Sequence, residues 1–193
     1  VAAAHYPDRR SAIMPALLIA QRAHGHLPPD VIEEVADILG VERIWVETAR
    51  EMQAAVDAAL PADVAIMVAA VADWRAADES EQKLKKSGKG VEPLKLVENP
   101  DILATLAKNE KRPGLLVGFA AETEKIIEHA QAKLAKKGCD WIVANDVSGD
   151  VMGGANNAFH IVSKDGVESW PNSPKDVIAR RLMEKIADVV GKS

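Results

Sequence analysis

Between Ala69 and Arg75 the chain reads Ala-Ala-Val-Ala-Asp-Trp-Arg, and eight residues further on it reads Lys83-Leu84-Lys85-Lys86. Small residues at the end of an apolar run leave room for a ligand to approach the backbone, an acid supplies an oxygen, and lysines neutralise phosphate. These residue types in this order point to polyphosphate chemistry at the edge of a sheet. Two later segments end apolar runs in the same way: Gly118-Phe119-Ala120-Ala121-Glu122-Thr123 and Ala144-Asn145-Asp146-Val147-Ser148. Asn145 can both donate to and accept from a ligand, and an Asp can hold Mg²⁺ directly or through water. Each segment taken alone also reads as a tight strand-to-helix turn or an Asx turn. Parallel strands align their ends, so Asp73, Glu122, Asn145 and Asp146 are expected on one rim.

The lysines form two groups. Lys83, Lys85 and Lys86 are followed by Lys89 and Lys95, in a stretch whose alternation reads as an exposed hairpin. Such a hairpin cannot place all its lysines against a core, and it stands beside the strand rim. Lys133, Lys136 and Lys137 fall in the last turns of a helix, where they serve either a ligand or the helix dipole.

The elements that must position these residues follow from periodicity. Residues 8–40 read as a helical hairpin, broken at Gly25 and reopened by Pro28-Pro29-Asp30. A short strand is expected over Arg43–Glu47, then a helix to Leu60 opened by the capping box Thr48/Glu51. Val64–Ala70 is a continuous apolar run of the kind buried on both faces of a parallel sheet, and is expected as a central strand. Lys83–Val97 is expected as two short arms around Ser87–Gly90. Asn99 before Pro100 predicts a capped helix from about Pro100 to Asn109. Leu115–Phe119 is the next strand, and Thr123 is expected to cap a helix ended by Gly138. Trp141–Ala144 is another strand, Ala158–Ser163 and Val167–Trp170 pair around Lys164-Asp165-Gly166, and a terminal helix runs from Ser173-Pro174 to about Val190. This alternation predicts a three-layer α/β fold with a mostly parallel sheet and an antiparallel flap and hairpin extension.

Composition narrows the classes. The 193 residues, 48% hydrophobic, suit one α/β domain of ordinary size. A net charge of -5 argues against a dedicated nucleic-acid binder, whose affinity rests on surplus Lys and Arg. Cys139 is the single cysteine, which excludes an internal disulfide and any cluster held by several cysteines of this chain. No apolar run reaches the roughly 20 residues of a bilayer crossing, so a soluble, cytoplasmic protein without a membrane partner is expected.

The ordered set Ala69–Arg75, Glu81-Gln82-Lys83-Leu84-Lys85-Lys86, Glu98-Asn99-Pro100-Asp101-Ile102-Leu103, Arg112–Thr123, Ala144–Ser148 and Asn156–Val162 resembles the phosphopantothenate–cysteine ligase family. The likeness runs from about Glu42 to the C-terminus and implies a Rossmann-like CTP-binding domain over residues 42–193. In that family the carboxylate of 4′-phosphopantothenate attacks the α-phosphate of CTP, releasing pyrophosphate. Cysteine then displaces CMP from the acyl-cytidylate, and Mg²⁺ is normally required. Carried over by motif, Asp73, Phe119 and Val97-Glu98-Asn99-Pro100 correspond to nucleotide-site residues, and Lys83 to the flap lysine at the phosphates. Lys133 and Lys137 correspond to further nucleotide contacts, and Ala69 and Ala70 to backbone contacts with the substrate. Lys83, Asp73 and Asn145 are the expected catalytic residues, metal ligands are unassigned, and a homodimer is implied.

Residues 1–41 carry none of that family's opening motifs, which are a first strand, a glycine-rich turn with a threonine, and an asparagine- and serine-rich substrate turn. Instead Tyr6–Ala12, Pro15-Ala16-Leu17, His24–Pro29 and Ile32–Ala36 resemble the N-terminal helices of the 24-kilodalton iron–sulfur subunit of NADH–quinone oxidoreductase. The chain reads as a helical hairpin, 1–41, joined to a ligase-like domain near Gly40–Glu42. Two other readings follow: a nucleotide-binding fusion without catalysis, and a subunit associated with NADH dehydrogenase. His5, His24 and His26 read as loop residues rather than as a metal site.

Overall fold

The computed structural model describes residues 12–78, 93–146 and 156–191. The lysines Lys83, Lys85, Lys86 and Lys89, the expected hairpin turn Ser87–Gly90 and the pair Val147-Ser148 lie outside these described residues. The chain forms two compact units, Val1–Val46 and Glu47–Ser193.

In the first unit, α1 (Ile13–His24) and α2 (Pro29–Leu39) form the expected helical hairpin. Pro29 stands at the first helical positions of α2, where its missing N–H costs nothing. Gly40 closes α2 with φ at 68°, and its N–H donates to the carbonyls of Ala36 and Asp37. Val31, Ala36 and Leu39 are buried. The strand expected over Arg43–Glu47 does not form. Arg43 instead pairs with Glu33 at 2.7 Å and stacks over the Trp45 ring, whose Nε1–H also donates to Glu33. These side chains are tied to α2, and among the described residues no second strand pairs with this stretch to reward an extended backbone with a ladder.

The second unit begins with α3 (Ala49–Ala58), whose capping box forms as read: Thr48 Oγ1 accepts from the Glu51 N–H while the Glu51 carboxylate accepts from Thr48 N–H. Then follow β1 (Val64–Met67), β2 (Trp74–Ala76), β3 (Leu96–Glu98), α4 (Ile102–Ala107), β4 (Leu115–Glu122) and α5 (Ile126–Lys137). The chain continues through β5 (Trp141–Asp146), β6 (Asn156–Ser163), β7 (Gly166–Pro174) and α6 (Lys175–Val190). The main sheet has the order β1-β4-β5-β6-β7. β1, β4 and β5 are parallel, and β6 and β7 are antiparallel, so the fold is the mostly parallel α/β sheet with an antiparallel extension.

β1 is an edge strand among the described residues, not the central strand expected, and Val68 just beyond it is 60% exposed. An apolar run is the same in a strand with two neighbours and a strand with one, and only the pairing distinguishes them. The middle strand is β5, with Ile142 and Val143 fully buried. The flap also differs. Its first arm is β2, drawn from the Asp73-Trp74-Arg75 motif itself, and it pairs antiparallel with β3 as a separate two-stranded sheet.

Alternate residues of the main sheet feed two cores. On one face Leu115, Val117, Trp141 and Val143 pack with Ile178, Leu182 and Ile186 of α6. On the other, Leu116, Ile142, Ala144 and Val162 pack with Leu106 of α4 and Ala130 of α5, flanked by Val56 of α3. Each buried Leu, Ile or Val in these layers contributes about 1.5–3 kcal/mol, which holds the carboxyl ends of β1, β4 and β5 in one line.

Candidate functional site

β1 and β4 run in register from Val64 opposite Leu115 to Met67 opposite Gly118, and β4 and β5 continue to Glu122 opposite Asp146. Beyond these ends lies a cavity of about 800 Å³. Its first wall is the whole run from Ile66 to Asp73, which contains Ala69 and Ala70. Its second is Asn99–Leu103, where the chain enters α4. Phe119, Ala120 and Ala121 of β4 and Asn145 of β5 form the floor, Lys133 and Lys137 of α5 close one side, and Phe159 and Lys175 close another. The structure thus brings Ala69, Ala70, Asp73, Asn99, Pro100, Phe119, Lys133, Lys137 and Asn145 around one space. Val97 and Glu98 sit on β3 and do not line it, and Lys83 lies outside the described residues.

Asn99 joins two walls. Its backbone N–H donates to the Asp73 carbonyl at 2.7 Å, its Nδ2 donates to the Ala72 carbonyl at 2.8 Å, and its Oδ1 accepts from Arg75. The helix cap expected of Asn99 is made instead by Asp101, whose Oδ1 accepts from Ala104 N–H, so α4 starts at Ile102 and ends at Ala107. Pro100 delays the helix because its predecessor, Asn99, is held in the clamp to the strand rim.

Asp101 also accepts from Lys137 Nζ at 2.5 Å. Burial alone would push the Asp101 carboxyl up. The hydrogen bonds from Lys137 and Ala104 N–H, with the charges of Lys137 and Lys136, outweigh it and hold the group below its ordinary value. One turn earlier on α5, Lys133 Nζ donates to the Phe119 carbonyl at 2.7 Å, which leaves two of its three N–H groups for a ligand. Among the described residues the Asp73 carboxylate, the Asn145 amide and the Lys175 ammonium have no hydrogen-bond partner.

Two expectations change here. Glu122 is not on the cavity wall: β4 extends through it, and its carboxylate lies 3.0 Å from His129 Nδ1 on α5. Nor does Thr123 cap α5, which is entered through Lys125 in the left-handed region at φ 46° with no side-chain cap. The Cys139 thiol, pushed up by burial, does not line the cavity. His26 Nδ1 lies 3.2 Å from the His24 carbonyl, both residues being exposed. Asp101 was legible in principle, since it follows directly on Asn99-Pro100. Lys175 had no local signal and reaches the cavity through the pairing of β6 with β7.

Residues 31–190 match the family described as DNA/pantothenate metabolism flavoprotein C-terminal domain. The chain belongs to that family. The Coenzyme A biosynthesis bifunctional protein CoaBC of Escherichia coli strain K12 is 40% identical over 151 residues, covering 76% of this chain and 37% of that protein. The protein of the same name from Vibrio parahaemolyticus is 41% identical over 157 residues, covering 79% of this chain and 39% of the relative. The chain thus spans under two-fifths of the length of these curated relatives. The crystal structure of the C-terminal domain of Coenzyme A biosynthesis bifunctional protein CoaBC matches with a TM-score of 0.61 at 34% identity, covering 80% of this chain and 69% of that one. The DNA/pantothenate metabolism flavoprotein from Streptococcus pneumoniae shares the fold, with a TM-score of 0.61 at 19% identity, covering 75% of this chain and 71% of that one. At the other end, residues 1–57 match the thioredoxin-like [2Fe-2S] ferredoxin family. Among the described residues no helix is long and apolar enough to cross a membrane.

Proposed function

We propose that the α/β unit ligates 4′-phosphopantothenate to cysteine at the expense of CTP, through an acyl-cytidylate, as a homodimer in coenzyme A biosynthesis. The observation that supports this reading most is that nine motif residues from five separate segments line one cavity at the carboxyl edge of the sheet. Lys133 and Lys137 supply positive charge to the triphosphate, the exposed backbone of Ala69 and Ala70 offers donors and acceptors, and the Phe119 ring offers an apolar face to the base. Asn145, whose amide has no hydrogen-bond partner among the described residues, orients the attacking carboxylate from the end of β5. Attack by one anion on another is slow until fixed donors neutralise the developing charge, and Lys83 from the flap is assigned to that task.

The described residues contain no cluster of three or more His, Cys, Asp or Glu able to cage a metal. Mg²⁺ is commonly held by one or two carboxylates together with substrate phosphates, and the Asp73 carboxylate on the cavity wall, without a partner among the described residues, fits that donor set. Bound there, Mg²⁺ would supply charge neutralisation at the phosphates.

The test is release of pyrophosphate that requires CTP, 4′-phosphopantothenate and cysteine together. Well-folded protein without turnover would overturn the ligase reading. A second reading is favoured by the ferredoxin-like match of residues 1–57 and the lack of the family's opening motifs in residues 1–41: a nucleotide-binding fusion that does not catalyse. Calorimetry that finds CTP binding without turnover selects it. Co-purification with respiratory-complex subunits would instead support an NADH dehydrogenase-associated role.

A further inference from the structure

Ala72 and Asp73 belong to one wall of the cavity and Asn99 to another, and the hydrogen bonds that join the two walls meet at Asn99. The Glu98–Asn99 peptide is gripped at both ends. Its N–H donates to the Asp73 carbonyl at 2.7 Å, and its carbonyl accepts from Arg75 Nη1 at 2.5 Å. The same nitrogen of Arg75 donates to Asn99 Oδ1 at 3.2 Å, while Asn99 Nδ2 donates to the Ala72 carbonyl at 2.8 Å. A side-chain amide has nearly the same shape either way round, so its partners decide its orientation. Both partners here are one-way. A guanidinium only donates and a carbonyl only accepts, so the Asn99 oxygen must face Arg75 and its amino group must face Ala72. Arg75 itself stands back from the cavity: it lies on β2 opposite Val97 of β3, is partly buried, and is not among the lining residues. Among the described residues its guanidinium bonds to these two neutral oxygens and pairs with no carboxylate.

We propose that Arg75 is a positioning residue for the nucleotide site, which locks the Asn99 side chain in the one orientation that clamps the Ala72–Asp73 wall to the Asn99–Pro100 wall. This inference rests on the reading above of the cavity as a CTP site. Arg75 suits the task because its guanidinium is planar, permanently charged and rich in donors, so it holds two oxygens at once without ever becoming an acceptor. With it in place, the two walls keep a fixed spacing and a nucleotide meets a preformed cleft. Without it, the Asn99 amide can flip. Its oxygen then faces the Ala72 carbonyl, two acceptors repel, and the walls part. The loss falls on a ligand that needs both walls together, since the ligand must then order them on binding.

The test measures CTP binding by calorimetry in wild-type protein, Arg75→Met, Arg75→Lys, Asn99→Ala and the double variant Arg75→Met/Asn99→Ala. Arg75→Met lowers CTP affinity by about tenfold, the effect of losing hydrogen bonds from a charged group. Arg75→Lys, again a cation that only donates, stays within about threefold of wild type. In the Asn99→Ala background, where no amide is left to orient, Arg75→Met changes the affinity by less than about twofold. A residue that merely braced the β2–β3 ribbon, or that touched the nucleotide itself, would cost the same with and without the Asn99 side chain. Unchanged CTP affinity in Arg75→Met, or an equal loss in both backgrounds, therefore overturns the positioning role and leaves the ligase reading standing. Wild-type protein that binds no CTP removes the nucleotide site and this inference together, whereas CTP binding without turnover removes only the ligase reading.

Discussion

Lys137, in the last turn of α5, is bonded to Asp101, the N-cap of α4, across 36 positions of sequence. The bond ties the helix that carries two cavity lysines to the loop that carries Asn99 and Pro100, so one carboxylate both starts a helix and holds a cavity wall. Asp101→Ala is expected to destabilise the unit by about 1 kcal/mol through the lost cap alone, whereas Asp101→Asn keeps the cap and loses the charge. The carboxyl is held below its ordinary value in the folded state. Its contribution is therefore present above the unfolded-state value and lost as pH falls through the lower, folded one. Urea denaturation at neutral pH and at successively lower pH below about 4 should show wild type and Asp101→Asn converging as the group protonates. A gap between them that widens on acidification would contradict this.

Lys133→Met removes the ammonium that bonds the Phe119 carbonyl and faces the cavity. If this lysine serves a polyphosphate, calorimetry should find CTP affinity reduced by about tenfold or more, with the loss shrinking at high salt. A loss of stability with unchanged CTP affinity would restrict Lys133 to holding the end of β4.

Gly118 on β4 faces α4 without room for a side chain: a Cβ there would lie 2.7 Å from Leu103 Cδ2 and 3.0 Å from Ile142 Cδ1. Gly118→Val should cost about 1–3 kcal/mol by overpacking, read from the shift in denaturation midpoint. Since Leu103 lines the cavity, CTP affinity should fall as well if the cavity holds the nucleotide as proposed. An unchanged midpoint would mean that α4 yields freely.

Trp170 is buried between β7 and α6, its Nε1–H donates to Glu168, and Arg181 stacks over its ring at 4.4 Å. Glu168 also pairs with Lys185 at 2.8 Å. The bonds from Lys185 and Trp170 hold its carboxyl below the ordinary range, against a small opposing effect of burial. Trp170→Ala is expected to cost about 3–5 kcal/mol, while Arg181→Ala, on the exposed side, should cost about 1 kcal/mol or less. A loss for Arg181→Ala as large as that for Trp170→Ala in thermal denaturation would show that the stacked cation contributes as much as the buried ring.

Local signals were enough for much of this architecture. The Thr48/Glu51 capping box, the two-helix hairpin closed by Gly40, the apolar runs of β4 and β5 and the Lys164-Asp165-Gly166 turn each rest on neighbours a few residues apart, and each formed where its residues stand. The spacing of small residues, acid and amide at strand ends likewise located most of the cavity. What depended on distant partners was not legible. Val64–Met67 looks like a central strand, but its place at the edge depends on which strand lies beside it. Asn99 looks like a helix cap, but the carbonyls of Ala72 and Asp73 claim it first and pass the cap to Asp101. Lys175 carries no motif, and only the pairing of β7 with β6 brings it to the cavity. Sequence by itself determined the elements, because backbone geometry and capping act over one or two turns of chain. Tertiary structure decided burial, the clamp at Asn99 and the membership of the site, because those depend on contacts whose partners are far apart along the chain.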